Sequence, residues 1–220
     1  MPDIQTDTAV IKTMPPISSH DRILLSAKHL FARNGYENTS TVAIAREAGT
    51  SESQLMKHFG SKQGLLSSIF DRGWVSIIER VQATQKTGAP ADRLFAMLEA
   101  MVVELENDSD LKELMTLEAR RVRKDNRDVL LSQGYRQFSS VVDGLLLEMQ
   151  RQGQIRPDLK LDAVRAALFG MTEGLVRDRV VARRSEFTAD YNFDDIKRVL
   201  EILVPAFGGE AMQPLKAVNR

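Results

Sequence analysis

Apolar side chains recur at three- and four-residue spacing along most of this chain, which predicts helix after helix. Met1 to Pro16 stand apart: the segment is polar, shows no period, ends in Pro15-Pro16 and reads as a flexible arm. Ser18-x-x-Asp21 fits a capping box, and Ile23, Leu24, Ala27, Leu30 and Phe31 then mark a helix that Gly35 of "RNGYEN" stops. Two short helices follow. Thr39 or Ser40 caps the first, which buries Ile44, Ala45 and Ala48 and breaks at Gly49. A second capping box, Ser51-x-x-Gln54, opens the next, which offers only Leu55 and Phe59, with Met56, to a core. Ser61 caps a longer fourth helix carrying Leu65, Leu66, Ile69, Phe70, Trp74, Ile77, Ile78 and Val81, which fades at "TQKTGAP".

Further helices are predicted over roughly 91–106, 109–124, 126–152, 160–184 and 193–206, separated by "NDSD", "GQIRPD" and "SEFTADYN". Nothing alternates with period two long enough to make a strand. The expected fold class is therefore all-α. A small three-helix unit at 17–64 is joined by the fourth helix to a larger helical unit at 65–208, with an arm at 1–16 and a tail at 209–220.

Composition narrows the function classes. Among 220 residues there is no cysteine, which removes disulfides, thiolate metal sites and cysteine nucleophiles. His20, His29 and His58 have no metal-ligand spacing, and neither Glu-x-x-His nor His-Glu-x-x-His occurs. No phosphate-cradling glycine loop or nucleophile–base constellation is visible, so no catalytic residue, metal or cofactor is expected and the chain does not read as an enzyme. No apolar run approaches the roughly 18 residues of a membrane span, and residues 1–16 lack an apolar signal core. A cytoplasmic protein without a membrane partner is the expectation. The 30 Lys and Arg balance 30 Asp and Glu. The stretch from Ser18 to Gly64 departs mildly from that balance, with Arg22, Lys28, Arg33, Arg46, Lys57 and Lys62 against Asp21, Glu37, Glu47 and Glu52.

The second short helix, within "TVAIAREAGTSESQLMKHFGSKQGLL", is too poor in apolar residues to exist for stability alone. Pinned by Leu55 and Phe59 and joined to its predecessor at Gly49, it matches the second helix of a helix-turn-helix, which lies in the DNA major groove. Gln54 gives and takes hydrogen bonds as adenine requires, Lys57 reaches a guanine acceptor or a phosphate, and Ser53 is small enough for close approach. Thr39, Ser40 and Thr41 sit at a helix start suited to a phosphate, Lys62 at another, and Ser51 and His58 border the reading face.

The segment from about Ile17 to Leu66, carried by "AKHLFARNGYENTSTVAIAREAGTSESQLMKHFGSKQGLL", resembles the DNA-binding domain of the tetracycline-repressor (TetR) family of bacterial regulators. The resemblance implies a homodimer on a (pseudo)palindromic double-stranded operator. It also implies a C-terminal domain that binds a small-molecule effector and, through the fourth helix, resets the separation of the reading helices. Three positions depart from the family pattern: Met56 replaces the usual aromatic, Gln54 a small or hydroxyl residue, and acidic Glu52 a commonly basic one. An individual operator is expected. The competing reading is a ligand-binding or protein-interaction module that keeps the motif without using it.

Candidates in the larger unit are less specific. Trp74, Met97, Met101, Met115, Phe138 and Met171 are candidate lining for an apolar effector cavity, although such a stripe also suits a plain core. Within "EARRVRKD", Arg120 and Arg121 either point inward to an anionic effector group or belong to a solvated face. Ala166, Gly170 and Gly174 form a small-residue stripe. With the helix of Ile196, Leu200, Leu203 and Phe207 it suits a four-helix dimer contact, the alternative being packing within the chain. Gly73, inside the fourth helix, is either a flex point or the close approach of another helix, and the latter is the favoured reading.

Overall fold

Ser18 begins the fold: its hydroxyl accepts the Asp21 N–H at 3.1 Å and starts α1, Ser19–Asn34. The Asp21 side chain takes the Ser18 hydroxyl at 2.8 Å, so this capping pair closes side chain to side chain. Our computed structural model describes residues 17–84, 88–118 and 132–208. The proposed arm, the proposed tail, Arg120 and Arg121 lie outside them.

α1 ends at Gly35, where a φ of 82° suits glycine. Ser40 caps α2, Thr41–Glu47, and Ser51 caps α3, Glu52–Phe59. Gly49, at φ 62°, turns the chain between them. The Ser61 hydroxyl then accepts the Gly64 N–H at 2.9 Å and starts α4, Lys62–Thr84. Gly64 is needed there: a Cβ at this position would sit 2.2 Å from the Phe59 carbonyl oxygen. Buried Ile23, Ala27, Phe31, Ile44, Ala45, Leu55, Phe59, Leu65 and Leu66 bring these helices onto the molecule's continuous core.

The larger unit comprises α5 (Pro90–Asn107), α6 (Ser109–Glu113), α7 (Gln133–Arg151), α8 (Leu161–Ala182) and α9 (Phe193–Ala206). All regular elements among the described residues are helical. Of the helix expected over 109–124, residues 119–124 lie outside the described residues, and the α-helical part within them ends at Glu113. Asp108 caps α6, and after five residues the chain widens into a π-helical turn, Leu114–Glu118. There Thr116 donates to the Lys112 carbonyl at 2.7 Å. The helix expected from 126 begins, among the described residues, at Gln133, because the Ser132 hydroxyl caps it through the Tyr135 N–H.

α4 is clasped on two sides. A Cβ on Gly73 would meet Leu111 of the α6 segment at 2.8 Å, so this glycine marks a close helix approach. On the other side Gly134 donates its N–H to the Asp71 carboxylate at 2.7 Å, and a Cβ there would lie 2.6 Å from the Trp74 Cβ. Trp74 packs on Tyr135 and Phe138 with ring centroids 5.5 and 4.9 Å away.

Candidate nucleic-acid interface

α3 divides into two faces by helical geometry alone. Leu55 and Phe59, one turn apart, are 0% and 9% exposed. Removing such side chains from water contributes about 1.5–3 kcal/mol each. The remaining positions, Glu52, Ser53, Gln54, Met56, Lys57 and His58, all face solvent. Met56 corrects the expectation that it joins the core. It is 41% exposed, because the residue after Leu55 is rotated about 100° from the single buried stripe of a two-turn helix.

Neighbouring elements frame this face. The Thr41 hydroxyl, at the start of α2, donates to the Glu52 carboxylate at the start of α3. At the other end His58 Nε2 lies 3.3 Å from the Ser19 hydroxyl of α1. The His20 ring stacks on Phe59 with centroids 4.8 Å apart and meets His58 edge-on at 5.6 Å. Lys62 Nζ sits 4.3 Å over the Tyr36 ring and 3.4 Å from the Glu37 carbonyl, at the loop that leads into α2. Ser40, Ser51, Ser53, Gln54 and Lys57 are exposed as expected of contact residues, although Ser40 and Ser51 also spend their hydroxyls on caps.

Thr39 is a correction. It is 3% exposed, and its hydroxyl donates to the Leu30 and Gly35 carbonyls, so it closes the end of α1 instead of facing a phosphate.

The basic bias counted along the sequence is also redistributed. Arg22 reaches the Ala48 carbonyl at 3.1 Å and the Ile17 carbonyl at 3.3 Å, fastening the turn between α2 and α3. Lys28 and His29 turn to Asp108 and Asp110 of the α6 segment. Arg46 and Lys57 stay exposed. Asp21 is held below its ordinary value of 3.8 by hydrogen bonds from Ser18 and His20, with Arg72 adding a smaller attraction.

The α6 segment is tied to both units, and sequence reasoning missed it. Asp108 caps α6 with one oxygen and holds Lys28 of α1 with the other, and Asp110 meets His29 of α1 at 3.2 Å. Lys112, 2% exposed, pairs with Glu106 of α5 at 3.1 Å, and Arg179 of α8 meets the same carboxylate at 2.7 Å. Glu113 pairs with Arg184. The charges alternate in allegiance, first to α1 and then to α5 and to the end of α8. The only trace in the sequence was "NDSD", a capping pattern that reads as mere punctuation. A cavity of about 230 Å³ opens beside this junction, lined by Leu24, Leu25, Ile69, Arg72 and Leu111 among others.

Of the effector candidates, Trp74, Met97, Met101 and Phe138 are buried in the core, and Met115 and Met171 pack against it partly buried. Phe169, which the sequence reading left out, extends the aromatic cluster, its ring 5.6 Å from Phe138.

The dimer candidates divide. Ala166 and Gly170 are exposed and Gly174 half-buried. A Cβ on Gly170 would touch nothing, so packing within the chain does not explain this stripe. Ile196 and Leu200 are corrections: each is 1% exposed and packs inside the chain. Phe207 packs partly buried beside them. The outward apolar side of α9 is set by Leu203, 38% exposed, and by Ile202, which is 70% exposed and was overlooked. "RVLEILVPAF" is apolar on nearly every side, so spacing alone could not choose the buried face.

Among the described residues no helix is long and apolar enough to cross a membrane, and no cluster of His, Asp and Glu suits a metal ion.

Comparison with known proteins adds two matches in tandem. Residues 23–69 match the model for bacterial regulatory proteins of the tetR family, and residues 70–202 match the C-terminal region of YsiA-like proteins. A fatty acid metabolism regulator protein of Bacillus subtilis (strain 168) is 26% identical over 187 residues, covering 83% of this chain and 92% of that protein. The crystal structure of a transcriptional regulator FadR from Bacillus subtilis in complex with stearoyl-CoA superposes with a TM-score of 0.72 at 21% identity, over 87% of this chain and 100% of that one. The fatty acid degradation regulator FadR from Bacillus halodurans superposes with a TM-score of 0.71 at 19% identity, over 88% of this chain and 97% of that one.

Proposed function

We propose, from the premise that this chain belongs to the tetR family of bacterial regulatory proteins, that it is a homodimeric one-component repressor released from its operator by a small amphipathic effector. The observation that carries the reading is α3, a two-turn helix pinned by Leu55 and Phe59 with every other side chain turned to solvent. In a major groove, Ser53, Gln54 and Lys57 meet base edges. Ser40, Ser51, His58 and Lys62 border the phosphates and set the register. Affinity then comes largely from phosphate contacts and falls with salt. Such a regulator works in the cytoplasm beside the DNA, and nothing in this reading requires catalysis.

The stripe of exposed Ala166 and Gly170 and half-buried Gly174 on α8 and the outward side of α9 at Ile202 and Leu203 serve as the dimer face. Two helices from each chain make a bundle whose two-fold axis matches a (pseudo)palindromic operator. The boundary between reading and sensing units falls in α4.

For the effector we favour a long-chain acyl-CoA. The complex of the Bacillus subtilis structural relative with stearoyl-CoA supports it, as does the apolar, aromatic and Met-rich interior around Trp74, Phe138, Phe169, Met97 and Met101. An acyl chain entering there parts α7 from α4 at the Gly134–Asp71 and Phe138–Trp74 contacts. Displacement of α8 or α5 pulls on Glu106 and Arg184, hence on α6, and through Asp108 and Asp110 on α1. An equilibrium of this kind shifts only as far as the effector prefers one arrangement. Arg120 and Arg121 remain candidates for the effector's anionic end.

The test is selection of bound duplexes from a random pool, followed by titration of the complex with acyl-CoAs of graded length, free coenzyme A and free fatty acids. The proposal expects an enriched, inverted-repeat sequence and release by long acyl-CoAs. No enrichment at low salt contradicts the DNA reading, and release by none of the acyl-CoAs contradicts the effector assignment.

A further inference from the structure

The outward face of α3 holds one residue at odds with a helix that meets a polyanion. Glu52 is exposed at the first position of α3, and it accepts the Thr41 hydroxyl of α2 on Oε1. Thr41 is therefore turned to a protein carboxylate and not outward to a phosphate. Glu52 also lies at the positive end of its helix, which attracts a negative charge. That local benefit explains an acidic residue in a first turn, but not why a neighbouring hydroxyl is spent on orienting it.

We propose that Glu52 is a specificity-determining residue that reads a cytosine in each half-site, and that Thr41 is its positioning residue. The inference rests on the DNA-binding reading given above. An ionised carboxylate only accepts hydrogen bonds. In the major groove the donors are the N4 amino group of cytosine and the N6 amino group of adenine, and guanine and thymine present acceptors that repel it. Adenine sets its N7 acceptor beside the amino group, and cytosine does not, so cytosine is the better match. With Oε1 committed to Thr41, Oε2 remains for the base. The same charge repels phosphates, so it weakens binding to every duplex that lacks the matching cytosine. Gln54, one turn-fragment further along the exposed face, reads separately and does not replace this contact.

The experiment uses the full-length protein and the inverted-repeat duplex it selects from a random pool. Each base pair of that duplex is then replaced singly, and affinities are measured for the wild type and for the Glu52→Gln, Thr41→Val and Thr41→Ser variants. For the wild type, replacing one C·G pair per half-site weakens binding about ten-fold or more. Glu52→Gln moves the preference at that pair from cytosine toward adenine, since an amide pairs with adenine N6 and N7, and raises affinity for scrambled duplex. Thr41→Val lowers discrimination at the same pair without changing the melting temperature, and Thr41→Ser restores it. A merely structural Glu52, acting on the helix dipole, shifts stability slightly and leaves base preference where it was. If the Glu52→Gln preference profile matches the wild type at every position, the inference is overturned. If the wild type selects no sequence at all, the DNA-binding reading itself fails, which is a different result.

Discussion

In α3 the functional candidates point out of the protein, and in the larger unit the effector candidates point in. Ser53, Gln54 and Lys57 sit on a helix that buries two side chains, so their polarity has no role in the core. Trp74, Met97, Met101 and Phe138 occupy the interior, where a side chain that greets an acyl chain looks the same as one that fills a core. The α6 segment of the larger unit stands at the junction between the two. It carries Asp108 and Asp110 toward α1, and Lys112 and Glu113 toward α5 and the end of α8. A reader of DNA is thus recognisable from what it exposes, whereas a sensor is recognisable only from what displaces its interior.

Substitutions at four positions probe that contrast, starting with the largest effect. Gly64→Ala drives a methyl into the Phe59 carbonyl, and backbone gives way less readily than a side chain tip. Overpacking of this kind costs about 1–3 kcal/mol. We expect it to loosen α3, abolish operator binding and speed proteolysis near residue 60 while the larger unit keeps its helix signal by circular dichroism. A variant that melts and binds like the wild type would remove the tight α3–α4 junction from the account.

Asp108→Ala removes a helix cap, at about 1 kcal/mol, together with the tie to Lys28. Asp108→Asn keeps the capping oxygen and loses the charge. Both should narrow the ratio of operator affinities without and with effector, and only Asp108→Ala should lower the melting temperature clearly. An unchanged ratio in both would show that α1 is not driven through α6.

Lys62→Ala should weaken operator and scrambled duplex alike and flatten the dependence of log affinity on log salt by about one unit. A loss confined to the operator would make Lys62 a base reader. The smallest effect concerns Asp21. Its folded pKa lies below the ordinary 3.8, so its contribution is complete above that value and is lost as pH falls through the lower folded one. Asp21→Asn should therefore lower stability slightly at neutral pH and flatten the acid limb of a stability–pH curve, the two proteins converging as the pH falls below the folded value, as followed by thermal melts across that range.

The reading unit was legible because its signals are local. Ser18, Ser40, Ser51 and Ser61 each cap the helix start that follows them, and Gly35 and Gly49 turn the chain where expected. What escaped was any choice that only a third dimension makes. The Thr39 hydroxyl folds back on Leu30 and Gly35. Lys28 prefers an aspartate eighty positions away to the DNA side. In α9 two apolar stripes compete, and packing against α5 and α8 takes Ile196 and Leu200 and leaves Ile202 outside. The end of α6 at Glu113, followed by a π-helical turn, has no counterpart in the period of its apolar residues.

The side chains after Gly49 either meet a duplex or they do not, and one comparison decides it most directly. Wild type and Gln54→Ala are titrated against the selected operator and against a scrambled duplex of the same length and salt. A base-reading α3 predicts a loss of about 1–3 kcal/mol on the operator with almost no change on the scrambled sequence. Equal losses on both, or none on either, would contradict it.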